Sequence, residues 1–166
     1  MQKPLTQNRL KNIALFYLER FDASSGKIRQ ILKRRIQRQK NKGIELSPEI
    51  TQWVENVIQD LLHLGYLNDK RYVENAIRRL SQNGKSIQYI RQKLRTENIE
   101  TTLIDSCLTP QTDLQNARQF VRKKHLGNNS TKDLAKLARA GFDYETAKTA
   151  LEEVATSPLF EENTDF

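Results

Sequence analysis

What this 166-residue chain has little of restricts its chemistry first. It carries one cysteine, Cys107, so an intramolecular disulfide is excluded and a cysteine-based metal site cannot be built from it alone. Placed in the apolar run LIDSCL, Cys107 reads as a buried packing residue. No stretch approaches the ~18 consecutive apolar residues of a membrane span, and the polar start MQKPLTQNRLKN has no apolar core of a secretory signal. The expectation is a cytoplasmic protein without membrane contact. Hydrophobic residues make up 37% of the chain, modest material for a core, which fits a thin or modular helical protein better than a large sphere. Catalytic signatures are missing as well. His63 and His125 are isolated from each other, no glycine loop with a lysine is placed to cradle phosphate, and no His-Glu-x-x-His helix occurs. The acids form no evident catalytic pair. A non-enzyme with no cofactor and no metal is expected.

What is present is helical periodicity. Leu10, Ile13, Ala14, Tyr17, Leu18 and Phe21 form one stripe; Ile28, Ile31, Leu32 and Ile36 a second; Ile50, Trp53, Val54, Val57, Ile58, Leu61 and Leu62 a third. Tyr72, Val73, Ala76, Ile77 and Leu80 begin another set, followed by Ile87, Ile90 and Leu94, then Leu103, Ile104, Cys107 and Leu108. A last set runs through Leu114, Ala117, Phe120 and Val121, then Leu134, Leu137 and Ala138, then Tyr144, Ala147, Leu151 and Val154. No strand-like alternation competes, so the simplest parse is nine short helices in three groups of three.

Punctuation agrees with that parse. Gly43, Gly65 and Gly141 follow predicted helices, where a left-handed residue satisfies the last carbonyls, and Ser47-Pro48 reads as a cap followed by an N1 proline. Thr112 with Gln115 and Ser130 with Asp133 have capping-box spacing. Gly26 is the exception, inside the first turn of its helix. Between the third and fourth helices, Gly65 ends one helix, Asn68 is placed to cap the next, Leu67 can staple onto Tyr72, and Asp69 meets the positive helix end. The strings KGIE (Lys42 to Glu45), ENIE (Glu97 to Glu100) and AGFD (Ala140 to Asp143) repeat one order: helix stop, apolar plug, acid. A three-helix unit of ~45 residues is marginal alone, so stacking on neighbours would complete its core. The expected fold is all-α, three tandem three-helix repeats forming an elongated, curved array. Residues 1–66 make the first, with an extended second helix, 67–110 the second and 111–155 the third; 156–166 form an acidic, mobile tail.

Charge supplies the functional signal. The 28 Lys and Arg against 20 Asp and Glu give +8, which points to a polyanionic partner. Lys27, Arg29, Lys33, Arg34, Arg35, Arg38, Lys40 and Lys42 follow one another with no acid between Asp22 and Glu45. The apolar stripe stops at Ile36, so the last two turns are expected to project from the core, open to phosphates or to an acidic protein surface. Candidate partner-binding residues are Lys33, Arg34, Arg35 and Arg38. Smaller clusters add Arg78 and Arg79, then Arg91, Lys93 and Arg95, and then Lys123 and Lys124 beside Arg122.

YLERFDASSGKIRQIL over the first two helices, LHLGYLNDKRYVENAI across the first joint, and GKSIQYIRQKLRTENIE in the second unit together resemble the RecX family of recombination regulators. The resemblance covers Leu10 to Val154. KRRIQRQKNKG departs from the shorter family pattern by adding about two turns to the second helix. The resemblance implies tandem three-helix repeats and a monomer that binds the RecA recombinase and its filament on single-stranded DNA. It implies a part in recombination, DNA repair and the SOS response by inhibiting filament growth and RecA activities, with no catalytic motif to carry over. Two other readings stand beside it: a free-standing basic helical nucleic-acid binder, which needs a base-reading helix, and an adaptor that meets no nucleic acid.

Overall fold

The computed structural model describes residues 4–109, 111–127 and 130–155. These residues form helices α1 (Gln7–Leu18), α2 (Ser25–Lys40), α3 (Ile50–His63), α4 (Asp69–Gln82), α5 (Ile87–Thr96), α6 (Thr101–Cys107), α7 (Gln111–Lys123), α8 (Ser130–Arg139) and α9 (Tyr144–Ala155). No strand occurs among them. The all-α expectation holds, and the helices fall where the 3.6-residue stripes place them. The acidic segment 156–166 lies outside the described residues.

Two compact units emerge. One runs through Tyr72 and takes in Glu97–Ile99; the other comprises Val73–Thr96 and the described residues from Glu100 on. In the first, α1, α2 and α3 pack on one another. Leu10, Ala14, Ile28, Leu32, Val57, Ile58 and Leu61 are fully buried there, with Trp53 packed against them. In the second, α9 packs on α7 and α8 around Ala117, Val121, Leu137, Phe142, Ala150 and Val154, and α5 packs on α6. The stripes are therefore core faces, apart from Phe21 and Tyr144, which are exposed.

Helix ends explain the punctuation in part. Gly43, Gly65 and Gly141 take φ of +72°, +76° and +90°, and Asn98 in the ENIE string takes +57°. After Asn98 and Gly141 the next residue turns inward: Ile99 and Phe142 are buried, and the Phe142 N–H returns to the Leu137 carbonyl at 3.2 Å, whereas Tyr66 after Gly65 is exposed. Asn68 caps α4, its Oδ1 accepting from the Arg71 N–H at 2.9 Å, and Leu67 is buried in the first core.

Two caps differ from the sequence expectation. α3 begins at Ile50 instead of Pro48, because Ser47 to Glu49 form a separate turn in which the Ile50 N–H reaches the Ser47 carbonyl. Thr112 lies inside α7 and shares a hydrogen bond with Thr109 Oγ1 at 2.8 Å, so the bonded pair is Thr109 and Thr112. At the start of α8, Asp133 is buried and accepts from the Gly127 N–H at 2.9 Å. Cys107 is half-buried at the end of α6, not fully enclosed.

Gly26 has a spatial reason. An added Cβ would sit 2.7 Å from the carbonyl oxygens of Glu97 and Asn98, so only hydrogen fits between the first turn of α2 and that loop. The same junction carries two further links: Ser24 Oγ donates to the Glu97 carbonyl, and Asp69 accepts from the Ser25 N–H at 2.7 Å. An equivalent set occurs in the second unit. Ser86 Oγ donates to the Ala140 carbonyl at 2.8 Å, and Asp113 accepts from the Ile87 N–H at 2.8 Å. Ser24 and Ser86 are both fully buried, and each also caps its own helix by accepting from the N–H three residues on.

Candidate partner-binding surface

A basic run that is continuous in sequence is divided by helical rotation into faces with different neighbours. On one face of α2, Arg29 Nε and one terminal guanidinium nitrogen donate to Glu55 of α3 at 2.8 and 2.9 Å. Those hydrogen bonds hold the Glu55 carboxyl below its usual range and raise Arg29 above its own; the nearby Lys33 charge acts on Glu55 in the same direction. Arg29 and Lys33, four residues apart, thus face an acid of their own fold.

The neighbouring face is open. Arg34, Arg35 and Arg38 line a cleft of about 630 Å³ with Ile31, and α1 contributes Arg9, Asn12, Ile13 and Phe16 to the other wall. No ion pair engages Arg34, Arg35 or Arg38 among the described residues. Arg35 Nε is buried without a hydrogen-bond partner, as is Oε1 of Gln39. Phe16 is 55% exposed, and the Arg20 guanidinium carbon lies 4.2 Å from its ring centroid. The end of α2 does not project freely, because Gln39 is buried to 3% exposure and the Ile44 N–H folds back onto its carbonyl.

Of the candidates singled out in the sequence, this face gathers Arg34, Arg35 and Arg38, while Lys33 sits on the Glu55 side. The remainder belong to the second unit. Arg78 and Arg79 are exposed on α4, and Lys93 and Arg95 are exposed in the last turn of α5. Arg91 donates to Asp105 at 2.8 Å, in a cleft of about 610 Å³ that also holds Asp113 and Asp143, so that cleft is not basic. Burial pushes the Asp113 carboxyl up, against the N–H it accepts from Ile87. Lys123 donates to Asn83 at 3.1 Å, Lys124 is exposed, and Arg118 is bound to Glu153.

Sequence reasoning missed the α1 wall. Its signal was available: Arg9, Ile13, Phe16 and Arg20 stand at helical spacing of four, three and four, and Phe16 falls outside the apolar stripe of α1. His63 and His125 are both exposed, and no group of metal-ligating side chains occurs among the described residues. No helix among the described residues is long and apolar enough to cross a membrane.

No family model matches the chain. It is 34% identical over 158 residues to the regulatory protein RecX of Myxococcus xanthus (strain DK1622), covering 86% of this chain and 84% of that one. A shorter match, 34% identical over 78 residues, joins 44% of this chain to 51% of the regulatory protein RecX of Trichlorobacter lovleyi. In three dimensions the crystal structure of RecX from Lactobacillus salivarius superposes with a TM-score of 0.66 at 19% identity, over 89% of this chain and 96% of that one. A crystal structure of another regulatory protein RecX gives a TM-score of 0.63 at 20% identity, over 89% and 71%. The likeness to Myxococcus RecX along most of both chains, with an all-helical fold shared by solved RecX structures, places this chain in the RecX family of regulatory proteins, a family of regulators and not of enzymes.

Proposed function

We propose that the protein binds RecA and its filament on single-stranded DNA and inhibits filament growth and RecA activities, acting as a cytoplasmic monomer without cofactor. Membership of the RecX family supports RecA as the partner. The observation that carries the physical part is the open face of α2, where Arg34, Arg35 and Arg38 line one cleft with no ion-pair partner among the described residues. Clustered arginines recognise phosphates or carboxylates, and both are present on a nucleoprotein filament.

The same reading takes the body as three tandem three-helix repeats, 1–66, 67–110 and 111–155. Its support is the junction that occurs twice, at Ser24 with Asp69 and at Ser86 with Asp113. Leu32, Leu94 and Leu137, at the same position of α2, α5 and α8, are all fully buried. α2 has 16 residues where α5 and α8 have 10, which accommodates the extra turns of the first repeat.

Binding to RecA alone, to single-stranded DNA alone and to the assembled filament tests the reading. Preference for the filament, with slowed extension, is expected. Changing Lys33, Arg34, Arg35 and Arg38 together to Gln keeps helix propensity and should weaken that binding without altering the helical content. A parent protein that binds naked DNA as well as it binds the filament and leaves extension unchanged would instead be a free-standing nucleic-acid binder.

A further inference from the structure

The arginines of α2 account for only one wall of the first-unit cleft. Ile13 and Phe16 of α1 and Ile31 of α2 present apolar surface to the same space, with Phe16 55% exposed. A site for phosphate alone needs no such wall, and duplex DNA keeps its base faces stacked inside, so a ring beside its phosphates would meet nothing. An unpaired strand offers charged backbone and free base faces together. We propose that this cleft binds single-stranded DNA, with a base stacked on Phe16 and the flanking phosphates held by Arg34, Arg35 and Arg38. The inference deepens the nucleic-acid part of the function proposed above and rests on it there.

Two details support the assignment. Arg35 Nε is buried without a hydrogen-bond partner and no ion pair among the described residues offsets the Arg35 charge; a phosphate in the cleft that Arg35 lines would offset that charge. The Phe16 ring already stacks against one flat group, since Arg20 lies over it at 4.2 Å, yet Arg20 does not line the cleft. An acidic protein surface would engage the arginines without requiring the aromatic ring, and the test separates the two.

The whole chain is titrated, by fluorescence anisotropy without RecA, onto a labelled oligothymidylate and onto an abasic oligomer of equal length and charge. Phe16→Ala should weaken oligothymidylate binding by about five- to a hundredfold, the usual scale for one stacked base. Its abasic affinity and its salt slope should match the parent's. Phe16→Trp should restore binding. Arg34→Gln with Arg38→Gln should lower the salt slope on both strands by roughly 1.4, at about 0.7 per phosphate contact. Because Phe16 is exposed, its truncation should leave the fold intact, and unchanged thermal melting by circular dichroism checks this. Equal loss on both oligomers, or no loss on either, overturns the stacking assignment. Variants that lose filament binding alone would show that the cleft docks protein, which also overturns it. A parent that binds the filament but neither free strand sinks this inference while leaving the filament reading intact; a parent that binds the strands and not the filament does the reverse.

Discussion

Replacing Gly26 by alanine should destabilise the first unit even though Gly26 is helical and alanine is the better helix former. Within a helix the exchange ordinarily gains up to about 1 kcal/mol. Here the new Cβ would lie 2.7 Å from two backbone carbonyl oxygens, those of Glu97 and Asn98, and backbone cannot swing aside as the end of a long side chain does. Overpacking of this kind costs about 1–3 kcal/mol. Moving the loop away also stretches the Ser24 Oγ bond to the Glu97 carbonyl, worth about 0.5–1.5 kcal/mol. The two losses exceed the helical gain, leaving a net cost of about 1–3 kcal/mol.

The assay is intrinsic to the chain. Its single tryptophan, Trp53, packs against the core of the first unit, so tryptophan fluorescence in urea reports on the unit that contains Gly26. With a slope of about 1–3 kcal/mol/M, the midpoint should fall by on the order of 1 M. Gly43 provides the control, because its φ is +72° and nothing lies within 4 Å of an added Cβ. Gly43→Ala tests backbone conformation alone and should be relieved by Gly43→Asn, since asparagine tolerates the left-handed region. Gly26→Asn should bring no relief. A Gly26→Ala variant as stable as the parent, or more so, would refute the close approach of α2 to the loop at 97–98.

Asn68→Ala removes the side-chain cap of α4 and should cost about 1 kcal/mol; an unchanged urea midpoint would show that another group satisfies the Arg71 N–H. Asp113 gives a pH signature. Its raised carboxyl means that the folded state holds that proton more tightly than the unfolded chain. Its stabilising contribution is therefore complete below the ordinary aspartate value near 3.9 and declines as pH rises through the raised folded value. Asp113→Asn keeps an acceptor for the Ile87 N–H and should remove that decline, so its advantage over the parent grows with pH across this window in urea titrations followed by circular dichroism; a constant difference would refute the burial effect.

The helices were legible because apolar residues recur at 3.6-residue spacing, and that pattern needs no knowledge of what packs against it. Left-handed stops at Gly43, Gly65, Asn98 and Gly141 were legible for a similar local reason. Caps were less so. Thr112 and Gln115 have the right spacing, yet Thr112 lies inside α7 and bonds Thr109, a residue that precedes the helix. Gly26 looked anomalous because its reason lies some seventy positions along the chain. The α2 cleft was half visible: its arginines stand out as a charge run, whereas the α1 wall depends on which face of a neighbouring helix is left uncovered.

That difference bears on how a basic helix is interpreted. Eight cations between Lys27 and Lys42 look interchangeable in sequence, but rotation by about 100° per residue gives them different surroundings. Arg29 spends its charge on Glu55, and Lys33 lies in the field of the same carboxylate. Removing either changes the α2 to α3 contact as well as the net charge. Among the described residues Arg34, Arg35 and Arg38 engage in no ion pair, and Arg35 Nε is buried without a hydrogen-bond partner. A surplus of buried or clustered donors is unfavourable for the isolated chain, through mutual repulsion and lost hydration. On the reading proposed above, an anion in the cleft would relieve the repulsion among these side chains. On that reading, the α2 cations offered to a partner are the three that share one face, Arg34, Arg35 and Arg38.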